Sequence, residues 1–169
     1  RTGAGPLGLE GLCPGDLKGE KLYLVALGSP LRGDDGAALV LMQRLAAFRW
    51  PPWVRLVTCV AGDVGTLLQL PSGPVVVMDV LHDGGPPGRV VMLSIERLPL
   101  EGVTSLHQAP LAALRVLCRG RGLLVGCTVS DSALWGMTLS PPVRSALPCW
   151  GATVIQAVWL MGCPAALIT

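Results

Sequence analysis

The sequence predicts an α/β fold, a mainly parallel sheet of five strands covered by helices on both faces, with one strand antiparallel or at an edge. Three observations carry this. Five short runs are almost continuously apolar, as strands buried on both faces are, whereas half-exposed strands alternate. Segments of helical period separate most of these runs, the order produced by parallel strands and crossover helices. One junction is too short for a crossover, so the strand after it must run the other way or lie at an edge.

The first run is Lys21 to Leu27 (KLYLVAL), stopped by Gly28, and the helical segment Gly36 to Phe48 (GAALVLMQRLAAF) follows. Val54 to Val60 (VRLVTCV) is the second strand, with a short helical segment near Gly65 to Leu70 behind it. Val75 to Val80 (VVVMDV) is the third, and the turn HDGGPPG leads straight into Arg89 to Ile95 (RVVMLSI), the strand that cannot be a parallel neighbour. Ala109 to Arg119 (APLAALRVLCR) has helical period, Leu123 to Val129 (LLVGCTV) is the fifth strand, and an apolar segment runs from Pro142 onward.

With 169 residues, 51% hydrophobic and 14% charged, the chain is one domain over 21–169 behind a flexible leader at 1–20, and disorder is excluded. A net charge of +2 without a basic run argues against nucleic acid as a partner. No charged residue follows Arg144, a stretch long enough to cross a bilayer. Pro148, Gly151, Gln156, Gly162 and Pro164 interrupt it, leaving a helical core around Ala152 to Met161, so a buried helix is expected and no membrane insertion. The leader has no apolar h-region and does not read as a signal peptide. Six cysteines without a C-x-x-C pair are not disulfide-dense; each reads as a small buried hydrophobe in a reducing, cytoplasmic setting, and a cysteine zinc site is not expected.

Chemistry must come from a short inventory: seven Asp, four Glu, two His and two Lys, with no Asn. In parallel sheets ligands bind beyond the carboxyl ends of the strands, so residues just after each strand come first. Behind the first strand lies Gly28-Ser-Pro-Leu-Arg-Gly-Asp-Asp-Gly36. A phosphate loop would need Lys and Ser or Thr where this chain has Asp34 and Asp35, and the dinucleotide G-x-G-x-x-G spacing is absent. The loop presents carboxylate instead. Asp34 and Asp35 can be read as caps of the following helix, but adjacent residues point in different directions and both cannot cap it. Asp79 ends the run VVVM, where an unpaired charge costs several kcal/mol and must be compensated, by a structural partner or by a role at the sheet edge. His107 stands just ahead of a helix, where backbone can orient an imidazole, while His82 lies in the Gly-rich turn and reads as a solvated loop residue. Together Asp35, Asp79 and His107 form an O, O, N set suited to a borderline divalent ion with open positions.

These residues resemble a known family, the hydrogenase maturation endopeptidases, which trim the C-terminal extension of the large subunit of nickel-iron hydrogenases. LVALGSPLRGDDGAAL is similar to the family's opening block, VVVMDVLHDGGPPGRVVML to its second, SLHQAPLAAL to its histidine block and GMTLSPPVRSALP to its closing segment. The resemblance covers most of the chain from about Leu22. It implies a three-layer α/β/α sandwich with a five-stranded sheet, and a metal-contacting triad that falls on Asp35, Asp79 and His107. Asp35 and Asp79 would be the catalytic carboxylates, with Gly28, Ser29, Gly33, Asp34 and Gly36 supporting the loop. Two departures stand out: Ser29 replaces the family's Asn and Ala38 its Gly.

The resemblance further implies that no cofactor is permanently bound: the partner is a nickel-iron hydrogenase large-subunit precursor, and nickel already installed in it is the ion recognised, although zinc or cadmium could occupy the same residues. Two other readings stand beside this one: a hydrolase that keeps its own zinc at the triad, and a protein that binds the precursor without cutting it.

Overall fold

The structure is a computed structural model that describes residues 17, 19–30, 32–60, 62–98, 104–105, 107–130, 136 and 138–162. Most of the expected leader, together with Cys13 and Cys163, lies outside the described residues.

All five expected strands form, as β1 (Leu22–Gly28), β2 (Val54–Val60), β3 (Val75–His82), β4 (Val90–Ser94) and β6 (Gly122–Thr128). The helices are α1 (Ala37–Leu45), α2 (Val64–Leu68), α3 (Gln108–Cys118) and α4 (Pro141–Gly162). The sheet order is β2-β1-β3-β6-β4. β1 pairs in parallel with β2 and β3, and β3 with β6, while β4 lies at the edge antiparallel to β6. The junction too short for a crossover therefore produces both outcomes, an edge position and reversed direction. A strand of two residues, β5 (Thr104–Ser105), pairs antiparallel with Leu81 and His82 at the end of β3; it is too short for any period to reveal.

The runs of β1, β3 and β6 are continuously apolar because each of these strands feeds two cores, whereas β2 alternates between buried and exposed positions and β4, at the edge, is half-buried throughout. Leu24, Ala26, Val76, Met78, Val80, Val125 and Cys127 pack on one face against Ala37, Leu41 and Leu45 of α1 and Leu147, Trp150 and Val154 of α4. Tyr23, Val25, Leu27, Val75, Val77, Leu81 and Leu124 face the other way, against Leu67 of α2 and Leu111, Leu114 and Leu117 of α3. The three layers follow from handedness. The chain steps one way from β1 to β2 and back the other way to β3, and right-handed crossovers then place α1 and α2 on opposite faces. The reversal makes the carboxyl ends of β1 and β3 the sheet's topological switch point, the position beside which open α/β sheets bind ligands.

Three details depart from the sequence reading. α4 is longer than the core expected around Ala152 to Met161, running over 22 residues with Pro148 inside it. Pro141 and Pro142 fit its first turn, where amides have no intrahelical acceptor, and Pro148 lies on the exposed side, where the carbonyl it leaves unpaired meets water. Among the described residues no helix is long and apolar enough to cross a membrane. Cys59, Cys118 and Cys127 are buried, and burial pushes the Cys127 thiol up to about 12, but Cys149 is exposed on α4 and is no core residue. His82 is the last residue of β3 and half-buried, so it is not the solvated turn residue expected.

Candidate functional site

The loop after β1 curls into one 3-10 turn, Gly33–Gly36, before α1 begins. The Ser29 amide donates to the Asp35 carbonyl at 3.2 Å, the Arg32 amide to the Ser29 carbonyl at 3.3 Å, and the Asp35 amide to the Arg32 carbonyl at 2.9 Å. This folding brings main chain against main chain. A Cβ on Gly28 would lie 2.7 Å from the Asp35 carbonyl oxygen, and one on Gly36 would lie 2.8 Å from that of Ser29. Gly33 has φ +53°, a conformation that suits glycine. Its amide donates to the Gly136 carbonyl, so the loop is also tied to the segment ahead of α4.

Neither acidic residue caps a helix of its own: no side-chain cap bond is made at the 3-10 turn or at α1. Asp34, fully buried, accepts the Ser140 amide at 2.7 Å and the Ser140 hydroxyl at 2.6 Å, one on each carboxylate oxygen. It fastens the first loop to the residue that precedes α4. Asp35 turns the opposite way and is 3% exposed; its Oδ1 accepts no hydrogen bond and lies 3.3 Å from His107 Nε2.

Asp79 lies within β3, with Val80, Leu81 and His82 beyond it, so it is more deeply placed than a strand-end position. Strand alternation aims it at the face covered by α2 and α3, since Val77 and Leu81 pack there. It is fully buried, and its compensation is local. Oδ1 accepts the Val80 amide at 2.8 Å and meets His107 Nδ1 at 2.7 Å, while Oδ2 accepts the Ser105 hydroxyl. His107 is the residue before α3, and its amide donates to Ser105 Oγ at 2.9 Å.

The structure thus brings together Asp35, Asp79 and His107, from the loop after β1, from β3 and from the entrance of α3. The imidazole bridges the two carboxylates. Ser105 and Ser140 belong to the same construction and were not singled out by sequence reasoning. The available signal for Ser105 was a short hydroxyl residue two positions before His107, the spacing at which a Ser side chain reaches a later amide.

Burial is the largest influence on Asp79 and raises its pKa above the usual carboxylate range, against the hydrogen bonds from His107, Ser105 and Val80. For His107 burial acts to lower the value, but the Asp79 hydrogen bond and charge, joined by the charge of Asp35, outweigh it and the imidazole titrates above its ordinary range. His107 thus keeps its added proton to higher pH than a free imidazole would, while its Nδ1 stays within hydrogen-bond distance of Asp79 Oδ1. With Nδ1 committed in this way, Nε2 and the unbonded Asp35 oxygen are the atoms left for an incoming group. A carboxylate holding one nitrogen of an imidazole whose other nitrogen works is the arrangement that prepares a histidine as base or ligand. Among the described residues no three His, Cys, Asp or Glu side chains are grouped so as to hold a metal ion.

Fold and site together define an α/β/α protein with an acidic and histidine cluster at the sheet's topological switch point, and the same fold is found in solved structures of hydrogenase maturation peptidases. The hydrogenase maturating endopeptidase HybD from E. coli matches with a TM-score of 0.71 at 17% identity, over 84% of this chain and 94% of that one. The [NiFe] hydrogenase maturation protease HybD from Thermococcus kodakarensis matches with a TM-score of 0.63 at 24% identity, over 80% and 97%. A hydrogenase 2 maturation peptidase from a Thaumarchaeota archaeon gives a TM-score of 0.62 at 22% identity, over 83% and 99%. At these identities the likeness establishes the fold. No protein-family profile matches the sequence. Nor does any curated protein sequence match it.

Proposed function

We propose that this chain is an endopeptidase that removes the C-terminal extension of a nickel-iron hydrogenase large-subunit precursor after nickel insertion, in a reducing, cytoplasmic compartment. The single observation that carries the reading is the His107 ring set between a fully bonded carboxylate, Asp79, and one with an unbonded buried oxygen, Asp35. A buried oxygen without a donor is costly, and such atoms concentrate where a ligand or reacting group completes them. The fold shared with hydrogenase maturation peptidases supports the same reading.

In this scheme Asp35 and His107 Nε2 meet the nickel carried by the substrate, and Asp79 holds the ring from behind and joins them only where its own bonds rearrange. When present, the ion would supply Lewis-acid polarisation at the scissile carbonyl, and a carboxylate of the cluster would take a proton from the attacking water. Ser29 takes part through its main chain, whose amide and carbonyl both serve the loop, and this use is independent of whether the side chain is Ser or Asn. Ala38 is buried in α1, inside the core rather than at the cluster.

The test is incubation with a precursor large subunit, with and without nickel, followed by mass measurement of the product. Loss of the extension only with nickel, abolished in Asp35→Ala and Asp79→Ala, is expected. Cleavage that is indifferent to nickel or to both substitutions overturns the proposal, and complex formation without cleavage points to a binding protein instead.

A further inference from the structure

The cleavage reading gives Ser105 no task, although its hydroxyl bonds directly to Asp79. It is buried in the two-residue strand β5, paired with Leu81, two residues beyond Asp79. Its hydroxyl works in two directions at once. It donates to Asp79 Oδ2, and its oxygen accepts the His107 amide at 2.9 Å. Its carbonyl accepts the Gln108 side-chain amide at 2.8 Å, so the strand and the first residue of α3 are held together as well.

The consequence lies in what Asp79 can do without it. Oδ1 has two partners, the Val80 amide and His107 Nδ1, whereas the bond from Ser105 serves Oδ2. In a fully buried position, losing that donor leaves a carboxylate oxygen unsatisfied and frees the group to rotate about its terminal torsion, which has no sharp minimum of its own. The ring then loses its fixed acceptor. Asp35 cannot replace that hold, because its Oδ1 approaches Nε2 at 3.3 Å without forming a hydrogen bond.

We propose that Ser105 is a positioning residue whose hydroxyl locks the Asp79 carboxylate to the His107 main chain, committing Nδ1 to Asp79 and presenting Nε2 towards Asp35 and the substrate. It acts through its two neighbours and touches no substrate atom. Its effect on turnover rests on the endopeptidase reading; its effect on the imidazole does not.

Two measurements on the full chain keep these apart. The chain has only two histidines, so the ring nitrogens and their protons can be followed by nitrogen-edited NMR in the wild type, Ser105→Ala and Ser105→Thr. A strongly downfield proton on His107 Nδ1 is expected in the wild type, lost or broadened in Ser105→Ala and recovered in Ser105→Thr. On nickel-loaded precursor, kcat for Ser105→Ala falls by about 10- to 100-fold. KM stays within about twofold, because the lost contact is not one with substrate. Should Ser105→Ala fail to fold, Ser105→Cys keeps the volume with a weaker donor and shifts the ring signal the same way. An unchanged ring spectrum in a folded variant overturns the proposal, as does a raised KM with unchanged kcat. A wild type that never cuts the precursor, yet loses the ring signal on Ser105→Ala, sinks the endopeptidase reading while supporting the positioning role.

Discussion

Nδ1 of His107 lies 2.7 Å from Oδ1 of Asp79, a residue 28 positions earlier in the chain and fully buried in the central strand. The contact assigns the ring's two nitrogens to different tasks, and the first prediction follows from it. Asp79→Asn preserves shape but offers an amide whose oxygen and nitrogen make different demands on the imidazole, so the tautomer is no longer fixed. Precursor cleavage falls by about a hundredfold or more, with circular dichroism unchanged. Activity within a few-fold of wild type would mean that Asp79 is a structural partner only.

Asp35 makes the opposite case, since its buried Oδ1 has no hydrogen-bond donor. Asp35→Asn removes a desolvated charge, so the variant is as stable as the wild type or more stable by up to about 1 kcal/mol, while cleavage is lost. Urea unfolding and a cleavage assay on the same preparation test both halves; a large loss of stability would show Asp35 to be a structural residue.

Asp34 holds both donors of Ser140 across 106 positions of sequence. Asp34→Ala strands a buried amide and hydroxyl and costs about 1–3 kcal/mol. Because the two residues form one contact, Asp34→Ala and Ser140→Ala are non-additive when combined. A double mutant whose loss equals the sum of the singles would dissolve the latch.

The pH dependence has a definite sign. His107 titrates above its ordinary 6.5 in the folded chain, so the folded state holds the proton more tightly than the unfolded one. Its contribution is fully present below 6.5 and is lost as pH rises through the folded value. Asp79, also raised, acts in the same direction in a window that begins at its ordinary 3.8. Urea midpoints measured at about pH 6 and about pH 9 should therefore fall at the higher value, and His107→Gln should remove most of the difference. A midpoint that rises with pH equally in both proteins would contradict the assignment.

Much of this was legible in the linear sequence, for reasons that can be named. VVVMDV and LLVGCTV read as strands because both their faces are buried, and HDGGPPG ruled out a crossover by its length alone. Asp35, Asp79 and His107 could be picked out as candidates because charged and imidazole groups are scarce here and stand at loop or strand positions beside the switch point. His82 was misread because β5, the partner that draws it into the sheet, is only two residues long. The start of α4 was misjudged because Pro148 and Gly151 read as interruptions, whereas Pro148 lies within the helix on its exposed side, where the carbonyl it frees can meet water.

By itself the sequence determined the layers: local periodicity and apolar content fix which segments are strands and helices, since burial of their faces is a property of neighbours along the chain. Which carboxylate does what was decided by tertiary structure alone. Asp34 and Asp35 are adjacent and chemically identical, yet one is saturated by Ser140 from the far end of the chain and the other is left facing His107. Partners supplied from more than 70 positions away have no footprint in local pattern, and hydrogen bonding depends on where a group's oxygens point, which only packing of the whole chain sets.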